Sequence, residues 1–196
     1  MTEEIKSKQE ELSGYITGQF LLAMPHMQDP RFEKAVIYIC GHDLNGAMGL
    51  VINKHLGDLT LKGLLDYLNL PQESIRRDLP IYFGGPIDTG RGFVLHSDDF
   101  SHPGTVPIDN HISLTATVDV LQAIAEGSGP IYCLLAMGYV GWGPGQLDSE
   151  LHSNKWLQIE ADSDILFKTP IEKKWEMAIA KLGVSPEALS EEFGQA

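Results

Sequence analysis

The sequence predicts an α+β fold, a mixed and mostly antiparallel sheet flanked by several helices. Two observations predict it. Along the 196 residues, short apolar runs of strand length outnumber the segments with helical periodicity. Asn45-Gly46, a pair in which both residues tolerate positive φ, separates two of these runs and indicates a hairpin. Because hairpins join antiparallel neighbours, we expect an antiparallel sheet with helices packed against it.

The first third of the chain predicts three strands followed by a helix. Apolar and β-favouring residues place the strands at 20–25, 35–40 and 47–53. Four leucines then recur at helical spacing between positions 61 and 68, with Asp58 or Thr60 available as N-cap. Pro71 ends this helix.

The rest of the chain continues to alternate strands with helices. We expect strands at 81–83, 92–96, 112–115, 131–137 and 156–161. The run 131–137 is apolar throughout and is expected to be buried on both faces. One helix near 117–126 stops at Gly127, and a last helix places Trp175, Ala178, Ile179 and Leu182 on one face.

Domain organisation is simple. Residues 1–12 carry many charges and few apolar positions, which predicts a flexible tail, and residues 13–196 are expected to form a single domain. The longest apolar stretch runs from Ile131 to Trp142, well short of the ~20 residues that cross a bilayer. Since the N-terminus also lacks the apolar core of a signal peptide, we expect a cytoplasmic protein without membrane contact.

Charge and cysteine content exclude several functional classes. The net charge of −13 repels phosphate backbones, and no basic stripe is present, which argues against direct nucleic-acid binding. The two cysteines, Cys40 and Cys133, lie in apolar runs without a CxxC spacing. They are expected to be buried thiols, so disulfide, redox and cysteine-metal chemistry are disfavoured.

The glycine-rich segment 138–145 precedes a short helix whose buried face carries Leu147 and Leu151. Exposed amides at such a position can bind an anion, which makes Trp142, Gly145 and Gln146 candidate ligand contacts. The alternative is a tight turn that lets Trp142 pack where the strand leaves the sheet, and the absence of a phosphate-loop motif favours it.

A loop of histidines and aspartates, 96–102, contains residue types that can bind a metal ion when three or four converge. The same composition is typical of a solvated acidic loop, and the spacing does not favour a metal site. His96 ends an apolar run at a point where its side chain can face a cleft, so we keep it as a candidate ligand contact.

Two further positions are candidate ligand contacts. Gly84 and Gly85 precede Pro86 between two predicted strands, where the backbone either turns sharply or approaches a ligand closely. Asn53 closes a predicted strand and either caps a turn or enters a pocket. No catalytic residue, metal or cofactor is expected, because no nucleophile motif or paired-carboxylate pattern is present.

Taken together, several segments resemble the AlgH/YqgE family of bacterial proteins. The resemblance covers about residues 13–194 and rests on GQFLLAMPHMQDPRFEKAVIYIC, HDLNGAMGLVINK, FGGPIDTGRGFVLH, GYVGWGPGQLDSEL, NKWL and LFKTPIEKKWEMAIAKLGV. Val140 and Asp148 depart from the family's common alanine and glutamate without changing charge type. The resemblance implies a cytosolic α+β protein with a barrel-like sheet. It carries over no catalytic residue, and the AlgH name associates the family with transcriptional control of alginate production.

Our hypothesis from the sequence is therefore a non-enzymatic cytosolic regulatory protein that binds a protein or small-molecule partner. We expect its pocket where the corner at Gly84-Gly85-Pro86, His96 and the turn from Trp142 to Gln146 meet. The alternatives are a hydrolase or metal-dependent enzyme that uses the loop 96–102, and, disfavoured by charge, a direct DNA-binding regulator.

Overall fold

The computed structural model describes residues 15–72, 75–76 and 78–184. Ten strands are present in this part of the chain: β1 Gln19–Ala23, β2 Val36–Asp43, β3 Gly46–Val51, β4 His55–Thr60, β5 Pro80–Phe83, β6 Ile87–Ser97, β7 Thr105–Pro107, β8 Ile112–Thr115, β9 Cys133–Trp142 and β10 Trp156–Glu160. The α-helices are α1 Leu61–Tyr67, α2 Val118–Glu126, α3 Gln146–His152, α4 Ser163–Phe167 and α5 Lys174–Ala180. Short 3-10 turns lie at Pro30–Phe32 and Ile171–Lys173.

The sheet is mixed and mostly antiparallel, and it curls into a half barrel, which confirms the predicted α+β class. Its strand order is β10-β1-β2-β3-β9-β6-β8-β7, and β4 pairs with β5. The parallel pair is β5 with β9. The ten-residue strand β9 is the centre of the sheet, because it pairs with β3, β5 and β6.

Three apolar clusters cover the sheet. Side chains from alternate positions of β1 and β2, such as Phe20 and Tyr38, lie in the largest cluster, which α4 and α5 close. The positions between them, such as Leu21 and Ile37, lie in a second cluster with Leu147 of α3. The helices α1 and α2 pack on β5, β6 and β9 in the third. The central strands are therefore buried on both faces.

Several boundaries differ from the sequence predictions. β9 continues through Gly138 and Gly141 to Trp142, so the predicted glycine-rich loop is reduced to a turn over 143–145. This strand starts at Cys133, and Ile131 is exposed instead of buried. The hairpin near residue 45 is present, but its turn consists of Leu44 and Asn45. Gly46 is the first residue of β3 and pairs with Asp43, the last residue of β2.

Three other sequence predictions concern the cysteines, the N-terminal tail and membrane crossing. Cys40 is buried and Cys133 is only half-buried, and neither forms a disulfide. The predicted tail over residues 1–12 lies outside the described residues. Among the residues that are described, no helix has the length and apolar character needed to cross a bilayer.

Candidate functional site

A cleft of about 300 Å³ opens beside the C-terminal end of β9. Its walls come from the 3-10 turn Pro30–Phe32, the corner after β5, the end of β9, α3 and the start of β10. We call it the tryptophan cleft, because Trp142 and Trp156 line it. The helix α3 joins the end of β9 to the start of β10, which brings the two tryptophans together although fourteen positions separate them.

Three aromatic rings form one wall of the tryptophan cleft. The centroids of Trp142 and Trp156 are 6.1 Å apart in an edge-to-face arrangement, and those of Phe32 and Trp156 are 5.7 Å apart. Each tryptophan is only 6% exposed, because both pack in the apolar cluster with Leu147. The wall is therefore fixed from behind by the core.

Glu150 holds the two indoles in place. Its Oε2 atom accepts the indole N–H of Trp142 at 2.9 Å and that of Trp156 at 2.7 Å, while Gln146 donates to Oε1 at 3.1 Å. Burial alone would raise the pKa of Glu150, but these three hydrogen bonds and nearby Lys155 outweigh it, so the pKa is lowered. The cleft therefore contains a carboxylate that stays ionised.

Two cations also line the tryptophan cleft. Arg31 forms a two-pronged ion pair with Asp29, with Nη2 2.7 Å from Oδ2, and its guanidinium lies 5.6 Å from the centre of the Phe32 ring. The Lys155 ammonium lies 4.0 Å from Oε1 of Glu150. Both cationic side chains are about half exposed and accessible from solvent.

The structure brings together part of the predicted site. Trp142, Gln146 and Pro86 line the tryptophan cleft. Gly84 and Gly85 are buried beside it, where an added Cβ would overlap the backbone of Gly138 and Tyr139. Their role in the structure is close backbone packing. Gly145 has φ of 68° and precedes α3, and the space around its Cα is open.

His96 does not reach the tryptophan cleft, contrary to our expectation. It lies nine positions beyond Ile87 along β6, a strand length of roughly 30 Å. The side chain is 0% exposed, with Nδ1 2.8 Å from the Ser97 carbonyl oxygen and Nε2 2.8 Å from Oγ1 of Thr115. The apolar run that ends at His96 is buried in the core, and the histidine is buried with it.

Asn53 also lies away from the tryptophan cleft. Its Oδ1 atom accepts the backbone N–H of Val36 at 2.8 Å, and its Nδ2 atom donates to the Lys34 carbonyl at 2.8 Å. The side chain thus joins the end of β3 to the start of β2. It lines a separate shallow depression together with Trp175.

The acidic and imidazole side chains of the loop 96–102 do not converge on one point. Asp99 accepts hydrogen bonds from the Ser97 hydroxyl and from the backbone N–H of Ile131, while Nε2 of His102 lies 3.7 Å from Asp119. Over the described part of the chain, no group of three or more His, Cys, Asp and Glu side chains is arranged to hold a metal ion.

Among the residues of the tryptophan cleft that sequence reasoning missed are Glu150, Trp156 and Arg31. Gln146 and Glu150 are one helical turn apart between two tryptophans, and this spacing is a signal that could have identified Glu150. Arg31 gives no comparable signal, because only the folded chain brings its turn to the end of β9.

Comparison with known proteins agrees with the resemblance seen in the sequence. A family model described as AlgH-like matches residues 20–187. The UPF0301 protein Rru_A3059 of Rhodospirillum rubrum is 48% identical over 183 residues, which cover 93% of this chain and 95% of that protein. The UPF0301 protein blr1492 of Bradyrhizobium diazoefficiens is 46% identical, with 94% and 90% covered.

Solved structures show the same similarity. The solution structure of the AlgH protein from Pseudomonas aeruginosa has a TM-score of 0.77 and 44% identity, and the match covers 93% of this chain and 95% of that one. Protein DIP2367 from Corynebacterium diphtheriae, with 17% identity and a TM-score of 0.71, shares the fold. The family match spans most of the chain and its relatives are similar along nearly their full length, so this protein belongs to the AlgH-like family.

Proposed function

We propose that this protein is a non-enzymatic, cytosolic binding protein with a regulatory role, and that the tryptophan cleft binds its ligand. The observation that carries the proposal is the shared hydrogen bonding of Trp142 and Trp156 to Glu150. A cleft whose aromatic wall is already ordered loses little conformational entropy when a ligand binds. Its volume of about 300 Å³ suits a small molecule or one side chain of a protein partner.

The lining of the tryptophan cleft favours a ligand that combines a flat apolar group with an anionic group. The rings of Trp142, Trp156 and Phe32 offer stacking and edge contacts. Arg31 and Lys155 are both accessible cations. Arg31 is paired with Asp29, whereas the 4.0 Å separation between Lys155 and Glu150 leaves the lysine weakly paired. The weakly paired lysine is therefore the cation of the cleft that is best placed to bind an anionic group.

The same lining favours binding over catalysis. The polar side chains on the wall are Asp29, Arg31, Gln146, Glu150 and Lys155. The described residues of the cleft thus include no hydroxyl, thiol or imidazole that could act as a nucleophile. Glu150 has a lowered pKa and both of its oxygens are hydrogen-bonded, which makes it a weak general base.

The alternatives have less support. A hydrolase or metal enzyme built on the loop 96–102 would need side chains that converge, whereas Asp99 and His102 each bind a separate local partner. A DNA-binding regulator would need a basic surface to release counterions, and the charge of −13 opposes it.

Calorimetric titration with a matched pair of probes tests the proposal. Phenylacetate carries a ring and a carboxylate, and phenylacetamide is its neutral counterpart. We expect phenylacetate to bind about tenfold more tightly, because a charge-assisted hydrogen bond to Arg31 or Lys155 contributes about 1.4 kcal/mol or more. The double variant R31Q/K155M should remove this preference while both probes still bind weakly.

Lys62→Met provides the matched control, because Lys62 is an exposed lysine of α1 outside the cleft. This variant should bind both probes as the wild-type protein does. If the two probes bind with equal affinity, if neither binds, or if R31Q/K155M keeps the preference for the anion, the proposed ligand class is wrong.

A further inference from the structure

The strand β10 forms one edge of the sheet. In the described part of the chain it pairs with β1, and no strand lies on its other side. Its register with β1 runs from Trp156 to Glu160 without a bulge, and its sequence contains no proline. The opposite edge, β7, is three residues long and ends in Pro107, which lacks a backbone donor. Unlike β7, β10 therefore presents an unprotected row of backbone groups to an added strand.

Gln158, at the middle of β10, directs its backbone N–H and C=O away from β1. One step beyond the paired residues, the N–H of Met24 donates to the Lys155 carbonyl at 3.2 Å, which makes this a hydrogen-bonded position of the two strands. Such positions alternate with non-hydrogen-bonded ones in an antiparallel pair, and Gln158 lies three residues after Lys155. Its backbone groups therefore point outward, and within the described chain no hydrogen bond reaches them.

This edge strand begins at the tryptophan cleft. Trp156 is the first residue of β10 and Lys155 precedes it, and both residues line the cleft. A strand added antiparallel to β10 has its C-terminus beside the start of β10, roughly 5 Å away. Its terminal carboxylate is then within reach of the Lys155 ammonium, which is half exposed and only weakly paired with Glu150 at 4.0 Å.

We infer that β10 binds the C-terminal segment of a partner protein as an added antiparallel strand, and that the last residue of this segment is aromatic. The inference rests on the proposed function, because the aromatic ring enters the tryptophan cleft and the terminal carboxylate pairs with Lys155. Main-chain hydrogen bonds to Gln158 supply affinity for the residues that precede the ring. A parallel segment is disfavoured, since its cationic N-terminus would lie beside Lys155.

Calorimetric titration of the full chain with a peptide tests this inference. The probe is the acetylated peptide Thr-Val-Thr-Val-Phe with a free C-terminal carboxylate. The reference is N-acetylphenylalanine, which offers the same ring and carboxylate to the cleft but is too short to add a strand. We expect the peptide to bind about tenfold more tightly than the reference, because each backbone hydrogen bond to β10 adds a modest net affinity.

Methylation of single peptide nitrogens shows whether the gain comes from strand pairing. Alternate residues of an added strand direct their N–H groups towards the neighbouring strand. A methyl group on a nitrogen that faces β10 removes a hydrogen bond, whereas one on a nitrogen that faces solvent removes none. Of two peptides methylated on the third and on the fourth amide nitrogen, one should therefore bind no more tightly than N-acetylphenylalanine, and the other should keep the tenfold gain.

A pair of variants at one position provides the matching test on the protein. Gln158→Pro removes the outward N–H and leaves the hydrogen bonds to β1 in place, so it should bind N-acetylphenylalanine as the wild type does and lose the gain of the peptide. Gln158→Ala keeps the backbone N–H and loses the side-chain hydrogen bond to Gln19, so it should keep the gain. If Gln158→Pro does not fold, the methylated peptides decide the question on the wild-type protein.

The outcomes separate this inference from the proposed function. A peptide that binds no more tightly than N-acetylphenylalanine, equal affinities of the two methylated peptides, or a gain retained in Gln158→Pro would overturn strand addition at β10. The ligand class of the tryptophan cleft would then still stand on the preference for phenylacetate over phenylacetamide. If that preference is absent, the proposed function is wrong and this inference is wrong with it.

Discussion

The indole groups of Trp142 and Trp156 donate to the same oxygen atom, Oε2 of Glu150, at 2.9 Å and 2.7 Å. One carboxylate thus connects the end of β9 to the start of β10. The two residues are also in edge-to-face contact, so their relative position is set by two independent interactions. This relationship links the stability of the fold to the shape of the tryptophan cleft.

Glu150→Ala should therefore be strongly destabilising. It leaves two largely buried indole N–H groups without an acceptor, and hydrogen bonds to a charged group contribute roughly 1.5–3 kcal/mol each. We expect a loss of about 3 kcal/mol in the free energy of unfolding, measured by urea denaturation. Glu150→Gln, which keeps an oxygen acceptor, should lose less, and equal losses in the two variants would contradict the role of Oε2.

The effect of Glu150 should also depend on pH. Its pKa is lower in the folded protein than in the unfolded chain, so its contribution to stability is present above the ordinary glutamate pKa and is lost as the pH falls through the folded value. The stability difference between wild type and Glu150→Gln should therefore shrink on acidification below about pH 4.5. Urea titrations at a series of pH values measure this.

Lys174 offers a second test of pH dependence, with the same sign but at alkaline pH. Its side chain is 1% exposed, its Nζ donates to the Leu166 carbonyl at 2.7 Å, and the ammonium lies 5.2 Å from the centre of the Tyr82 ring. Burial lowers the pKa of Lys174 from 10.5 to about 8. Between these two values the unfolded chain binds more protons than the folded protein, so stability attributable to Lys174 rises with pH.

Lys174→Met should remove this dependence. Relative to the variant, the wild-type protein should gain about 3 kcal/mol between pH 8 and 10.5, the linkage expected for this pKa difference. Taking the difference from the variant cancels the titration of the tyrosines. Lys173→Met, at the exposed neighbouring position, is the control and should follow the wild-type curve. Parallel curves for wild type and Lys174→Met would contradict the buried charge.

Much of the fold could be predicted from local patterns. The three early strands and the helices after positions 60 and 117 are present because their apolar residues recur with strand or helix spacing. The strands β4 and β7 and the helix α4 were missed. All three are short, and β4 and β7 contain few apolar residues. Pairing with a neighbouring strand determines the structure of β4 and β7, and packing of Ile165 and Leu166 against the core determines that of α4.

Sequence reasoning reached the parts of the site that glycine-rich turns mark. Trp142 and Gln146 belong to one turn, and Pro86 lies beside the strand that pairs with β9. The sequence groups His96 with them because it ends an apolar run where a side chain can face a cleft, but the length of β6 carries it away from Ile87, which lines the tryptophan cleft. Trp156 and Arg31 depend on tertiary contacts that no spacing records.

Gly85 provides a test of the close packing beside the tryptophan cleft. An added Cβ would overlap the backbone of Tyr139 and Val140, which cannot move without disturbing β9. Gly85→Ala should therefore cost about 3 kcal/mol or more, the upper range for overpacking. Gly41→Ala is the matched control, because no atom lies within 4 Å of its added Cβ, and its stability should change by less than about 1 kcal/mol. Thermal and urea denaturation compare the two.

Thr115 is the last residue of β8 and Thr117 is the residue before α2, and the same substitution should affect them differently. Thr115→Val removes the donor to Nε2 of fully buried His96, so it should cost roughly 1–3 kcal/mol, the penalty of an unsatisfied buried polar group. Thr117→Val removes a hydroxyl that has no partner, so stability should stay equal or rise by up to about 1 kcal/mol.

Urea denaturation without ligand measures both threonine variants. A loss of stability in Thr117→Val comparable to that in Thr115→Val would show that the Thr117 hydroxyl has a structural partner, and a neutral Thr115→Val would contradict the hydrogen-bond chain through His96.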